Sequence, residues 1–385
     1  MKFTKIYSNP LFLILVLFLI WQVLLVIGYF LTNDVFTLQQ NFLGGGMKQY
    51  LSNPLLWSKA NFDGEHYLAV ARFGYQPLTY FFFPFYPLLV SLPVNFATNT
   101  DFSFLLSGIV ISNVSLFFAL LGLWKLLILE FSKKIAFFTI LIILLFPTAF
   151  YFTAVYTESI FLALVVWAFY FAKKGNLFLA SLLAAGASAT KIIGIIMLPV
   201  LLTEYWQLGK KFKFNLDLLF ILLSCSGLVL YMLYLNKAVG DPLEFLHSIG
   251  IYGEQRSNQI ILLPQVFYRY LFKILPNINY QDFQNIFITW LEFLTGVLFL
   301  ILSIYAWFKL KLSYAIYLTL GYIIPTFSGS FSSLPRYVLV LFPAFFIIAG
   351  IVTRLTKLQQ VVLFSVMLFL LILSQSLFAN GFWLS

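Results

Sequence analysis

The chain has 385 residues, 62% of them hydrophobic and only 9% charged, with a net charge of +10. Repeated apolar runs long enough to cross a bilayer exclude a soluble protein, and basic residues scattered between those runs, rather than gathered on one face, exclude a nucleic-acid binder. The single cysteine, Cys225, excludes an intramolecular disulfide and redox chemistry built on one.

Lys2 and Lys5 precede the first apolar run, residues 11–31, which is longer than a signal peptide's core, has no clear cleavage site after it and so reads as an uncleaved span. It delivers Asn33 to the outer side. Residues 32–80 then form a first outer loop, in which Gly44-Gly45-Gly46 is a flexible turn without phosphate-binding context and residues 55–73 form an amphipathic segment suited to the interface. Farther on, Lys133-Lys134, Lys173-Lys174, Lys210-Lys211-Lys213, Lys309-Lys311 and Arg354-Lys357 each separate apolar runs, and the positive-inside rule puts all five on the cytoplasmic side. From these anchors runs 135–152, 216–235 and 312–327 lead outward, leaving Tyr156-Thr157-Glu158, a second loop at 236–286, and Ser328 to Arg336 outside. Runs 159–172, 287–308 and 337–353 return, and run 358–379 leaves the tail outside.

Two stretches strain this scheme. Residues 177–203 have basic clusters at both ends, so they cross an even number of times, yet at ~1.5 Å per residue they are too short for two full spans. A hairpin of two half-helices turning near Thr190-Lys191 is expected, and broken backbone at membrane depth is tolerated where it lines a polar cavity. Residues 80–129 must cross an odd number of times but read as two apolar runs, the first broken by Pro84, Pro87 and Pro93. Either one of them is re-entrant or Lys133-Lys134 lies outside. The expected class is an all-α polytopic membrane protein, one domain over residues 1–385 with about 10–12 transmembrane or re-entrant helices.

Ionisable groups gather on the outer half. Asp63, Glu65 and His66 form either a general base with its helpers, a metal site or a solvated loop; a short carboxylate just outside a span suits a base that must reach a substrate hydroxyl. The Asp63–His66 spacing matches none of the usual ligand motifs, so no metal is assigned, and a divalent cation stays open. The Phe82-Phe83-Pro84-Phe85-Tyr86-Pro87 string is an interfacial aromatic belt or a break that admits a lipid chain. Glu158 either caps a helix through its dipole or orients a sugar or a basic residue. Lys191 in an apolar run costs ~2.5–3.5 kcal/mol on insertion scales unless it finds a partner, and a phosphate is a natural one. Arg336 stands at a helix start, where a cation opposes the dipole, so a specific anion is expected beside it. His247 reads as a surface residue of the second loop.

Taken together, Phe62-Asp63-Gly64-Glu65-His66-Tyr67, Ala71-Arg72-Phe73-Gly74-Tyr75, the Phe82–Pro87 string, Pro147, Tyr156-Thr157-Glu158-Ser159, Thr190-Lys191 to Gly194 and Pro335-Arg336-Tyr337 resemble, in this order, the PIG-V-like mannosyltransferases of the GT-C superfamily. The likeness covers most of the chain to about residue 200 and then the Arg336 region. It implies a GT-C-like bundle and an inverting enzyme that moves a hexose, with mannose expected, from a polyprenyl-phosphate donor to a lipid or glycan acceptor on the outer face. Asp63 matches the family's first-loop acid and would be the base, with Glu65, His66, Tyr67, Tyr156, Glu158, Lys191 and Arg336 around the substrates. Lys191 stands where relatives often have arginine, which keeps the charge and loses the bidentate fork. The competing class is a transporter or lipid-linked-sugar flippase, in which Glu158, Lys191 and Arg336 line a translocation path. Against it, no internal repeat is found. A third class is a non-catalytic partner of another membrane enzyme.

Overall fold

The structure is a computed structural model that describes residues 9–32, 34–96, 98–209, 215–247 and 259–384, and every regular element among them is helical. The longer helices are α1 (Pro10–Thr32), α2 (Asp63–Phe73), α3 (Phe85–Val94), α4 (Asp101–Leu127), α5 (Lys133–Leu145), α6 (Glu158–Lys173), α7 (Leu177–Ser188) and α8 (Met197–Gln207). They continue as α9 (Leu216–Val239), α10 (Phe283–Lys309), α11 (Leu312–Thr326), α12 (Phe342–Val352) and α13 (Lys357–Ala379). Among the described residues α1, α4, α9, α10 and α13 are long and apolar enough to cross a membrane, and Leu334–Val340 with α12 makes a sixth candidate bent by 83°. Pro343 explains the bend: lacking an amide, it fits only the first turn of a helix, so the chain must restart at Phe342. The chain is a multi-pass membrane protein.

The charges fix which ends share a side. Lys173 meets Glu130 at 2.8 Å and Glu204 at 2.9 Å, Lys311 meets Glu130 at 2.9 Å, and Lys134 Nζ donates to the Thr353 carbonyl at 3.0 Å. Four of the five basic clusters therefore gather at one end of the bundle. The Lys210-Lys211-Lys213 cluster, like Lys2, Lys5 and Asn33, lies outside the described residues. Because Lys173 and Glu204 bracket α7 and α8, their contact closes that stretch into a hairpin, and its helices break at Ala189-Thr190-Lys191.

The stretch 80–129 resolves into the ten-residue α3 and the full-length α4. Prolines 84 and 87 confine α3 to a short piece laid on α4, where Ser107 Oγ donates to the Val90 carbonyl at 2.7 Å. One end of α4 carries Asp101, paired with Arg72 of the first loop, and the other leads to Glu130 at the basic end. α4 is thus the crossing element, with Lys133-Lys134 at the basic end.

Three expectations change. Residues 55–73 are not one amphipathic helix but three pieces, Pro54–Trp57, Ser58–Ala60 and α2, turned by Phe62 at φ 56°. The outgoing run 135–152 stops being α-helical at Leu145, just before Pro147, and finishes as the 3-10 turn Ala149–Thr153. Residues 328–336, expected as an outer loop, are tucked into the bundle, with Ser330, Phe331, Ser333 and Arg336 buried. Of the second loop, residues 248–258 lie outside the described residues; the rest holds Glu244–His247, Leu263–Arg269 and a π-helical turn at Tyr270–Ile274.

Candidate active site

Asn61 prepares the position of Asp63. It is fully buried, accepts the Gly44 amide at 2.8 Å and donates to the Phe378 carbonyl at 2.8 Å, which ties the first loop to the end of α13. The next residue, Phe62, holds a positive φ that side chains other than glycine adopt only at a cost of about 1–3 kcal/mol. Its ring, packed at 4.9 Å from Trp383 and 5.8 Å from Phe378, supplies the compensation. The chain thereby turns sharply and Asp63 opens α2, its carboxylate at the positive end of the helix dipole.

Arg336 Nη1 donates to Asp63 Oδ2 at 2.6 Å. The guanidinium is boxed by the rings of Tyr337, Tyr156, Tyr151 and Trp383 at 5.0, 5.2, 5.5 and 5.9 Å. Four aromatic faces around a buried cation hold it in one orientation. The anion expected beside Arg336 is therefore the chain's own Asp63, 273 residues away in sequence.

Glu158, at the first position of α6, is buried, and its Oε1 accepts from Lys191 Nζ at 2.6 Å and lies 3.6 Å from Arg336 Nε. Both functions read from its sequence position coexist, since it sits on the helix dipole and holds a basic residue. Lys191 comes from the break between α7 and α8, and its Nζ lies 5.5 Å from the Tyr337 ring centre. Glu158 Oε2 and Arg336 Nε are buried and have no hydrogen-bond partner among the described residues. Buried polar atoms are rarely left so.

These groups share a cavity of about 490 Å³. Asp63, Glu158, Lys191, Arg336 and Tyr67 form its charged end, while Phe81, Phe83, Ile192, Phe245, Ile324 and Phe327 make the rest largely apolar. A polar anionic group at one end and a hydrocarbon at the other would both be accommodated.

The other sequence candidates lie elsewhere. Tyr156 is behind the cavity, its ring against Arg336 and its hydroxyl donating to the Asn61 carbonyl at 2.8 Å. His66 stacks on Phe82 at 4.9 Å, and burial lowers its proton affinity against the opposing pull of Asp63. Glu65 does not line this cavity; its Oε1 accepts the Gly46 amide at 3.2 Å.

His247, expected on the surface of the second loop, is exposed there and also borders the cavity, and its Nδ1 lies 2.6 Å from Asp241 Oδ2. With Glu244, these two place one ligand atom each within 4.8 Å of one another. Sequence reasoning had no signal for Trp383 in the tail or for Lys59, whose burial pulls its ammonium down to about 8.

Among solved structures the chain is similar to ArnT from Cupriavidus metallidurans bound to undecaprenyl phosphate, at 15% identity and a TM-score of 0.52. The match covers 90% of this chain and 62% of ArnT, so the chain spans less than two thirds of that protein's length. No family model matches the chain, and no curated protein does. At that identity the likeness is one of fold alone, an all-helical bundle like that of ArnT.

Proposed function

We propose that the chain is an inverting glycosyltransferase that moves a hexose, with mannose the expected one, from a polyprenyl-phosphate donor to an acceptor hydroxyl on the extracytoplasmic face. The observation that carries this reading is the two-ended cavity, with an oriented carboxylate and a cavity-facing ammonium at one end and apolar walls at the other. ArnT, of like fold, was solved with undecaprenyl phosphate, which supports a lipid phosphate as the donor's carrier. The PIG-V-like motifs support the hexose and the role of Asp63.

In this mechanism the donor's prenyl chain lies along the apolar walls. Its phosphate takes Lys191, the cation that reaches the cavity without being boxed by rings. Asp63 accepts the proton of the acceptor hydroxyl as that oxygen bonds to the anomeric carbon from the face opposite the phosphate. The bond from the anomeric carbon to the phosphate oxygen breaks and its electron pair leaves with the phosphate, where cationic charge stabilises it. A leaving phosphate needs no proton, so one carboxylate suffices, unlike the pair that glycoside hydrolysis requires. Arg336 serves by fixing one oxygen of Asp63, so that the other is free to face the acceptor.

The test is transfer by the purified protein in liposomes, using radiolabelled polyprenyl-phosphate-mannose and a lipid and glycan extract of the source cells. Transfer by the wild type that disappears in Asp63→Asn is expected. Retained transfer in the variant removes the base assignment. Donor binding without transfer or donor hydrolysis in either protein would favour the transporter class.

A further inference from the structure

Gly45, Glu65 and Arg72 take no part in the chemistry above, yet the fold brings them to a second pocket of about 200 Å³ beside α2. Glu65 and Arg72 are seven residues apart and share one face of the helix. Asp63, two residues before Glu65, projects ~200° around the axis from it, toward the main cavity. One helix thus separates two sites.

The second pocket combines an aromatic wall with forked polar groups. Trp57 lies behind that wall, 3% exposed and covered by Gly45, at φ +71°, where a Cβ would come within 2.7 Å of the indole and 2.6 Å of Gln49 Oε1; the exposed ring that lines the pocket is Phe73. Gln49 Nε2 donates to Asp101 Oδ2 at 2.9 Å, and Asp101 also pairs with Arg72. The other amide atom, Gln49 Oε1, is buried and has no partner among the described residues. Two carboxylates against one guanidinium leave the pocket net negative, which disfavours a phosphate. Carboxylate, amide and guanidinium forks take paired hydroxyls, and an aromatic ring covers the C–H face of a pyranose. The volume suits one such ring.

We infer that this pocket binds a neutral or amino sugar of the acceptor, on the far side of α2 from the hydroxyl that Asp63 deprotonates; the inference rests on the transferase reading. The acceptor is then a glycan or glycolipid with at least two sugar units, laid across the start of α2. Burial raises the proton affinity of Glu65 against the opposing effect of the Gly46 and Gly45 amides.

Saturation-transfer NMR tests this with methyl α-mannopyranoside and glucosamine as probes. The protein is held in a detergent without a sugar headgroup, since maltosides would compete. Signal is expected from the wild type and from Asp63→Asn, and a roughly tenfold weaker one from Glu65→Gln and from Gln49→Ala, the loss of about one charge-assisted hydrogen bond. Donor binding should be equal in all four. In the transfer assay the two pocket variants should raise the acceptor KM and leave kcat unchanged. Full signal in both pocket variants, no signal in the wild type, or a fall in kcat at unchanged KM would overturn the inference. Failure of the Asp63 assignment would show in Asp63→Asn transfer and leave this NMR pattern intact.

Discussion

The bundle holds two networks of the same inventory, each with two acids and two bases. At the basic end Glu130, Glu204, Lys173 and Lys311 close on one another; Ser313 also donates to Glu204, and Lys173 Nζ lies 4.5 Å from the Tyr314 ring centre. Neither of the two pockets touches them. At the other end Asp63, Glu158, Lys191 and Arg336 line the main cavity, and two of their buried polar atoms have no hydrogen-bond partner among the described residues. Charge inside a membrane protein thus serves two ends. Saturated pairing fixes which helix ends share a side, and incomplete pairing leaves groups for a substrate.

Substitutions separate the two uses. Asp63→Asn should reduce transfer by about 10²–10⁴ if Asp63 is the proposed base, and lower the melting temperature less than Lys173→Met does, because the amide oxygen can still accept from Arg336 and Glu158 stays 3.6 Å from that guanidinium. Lys173→Met should do the converse: it strands Glu204 and weakens the hold on Glu130, costing about 3–5 kcal/mol. Thermal unfolding would register that loss, while kcat per folded molecule is retained. If both variants lose stability alike, the networks do not differ in kind. Lys191→Met should raise the donor KM by roughly 10–100-fold, the worth of one charge-assisted contact, and Lys191→Arg should restore most of it. A kcat loss at constant donor affinity would move Lys191 out of phosphate binding.

The smallest effect concerns Lys59, a cation in neither network. Its proton affinity falls from the ordinary 10.5 to about 8 on burial. The unfolded chain therefore binds more protons between those values, and stability rises with pH across that window. Lys59→Met should melt a few degrees higher than wild type at pH 7, with the gap closing as the pH passes 10. An unchanged gap would mean that the ammonium is solvated.

Much of this organisation could be read from residues alone. Basic clusters marked the helix ends that meet at Lys173 and Glu204, and the length conflict in 177–203 pointed to the break that presents Lys191. Both signals come from the membrane, which constrains length and charge one segment at a time. What was hidden depends on distant partners or on direction within a turn. Asp63, Glu65 and His66 read as one constellation, but consecutive residues of a helix diverge, and the three face a cavity, a second pocket and the Phe82 ring. Nothing in the tail announces that Trp383 covers both Phe62 and Arg336. The burial of 328–336 was missed because its serines and glycine read as a loop; Tyr270, 3.5 Å from Ser330 Oγ, and the packed ring of Phe331 hold it inside.

The Asp63–Arg336 pair also sets a timetable. Ribosomes add about 5–20 residues each second, so the 33 residues between Glu158 and Lys191 take roughly 2–7 s, whereas the 273 between Asp63 and Arg336 take roughly 14–55 s. Nascent chains stalled before residue 334 should leave residues 44–62 open to protease, and protection should wait for Phe378 to Trp383, which pack on Asn61 and Phe62; early protection would show that the first loop settles unaided. The newborn protein carries the Asp63 carboxylate unclamped until an arginine made 273 residues later arrives to hold it.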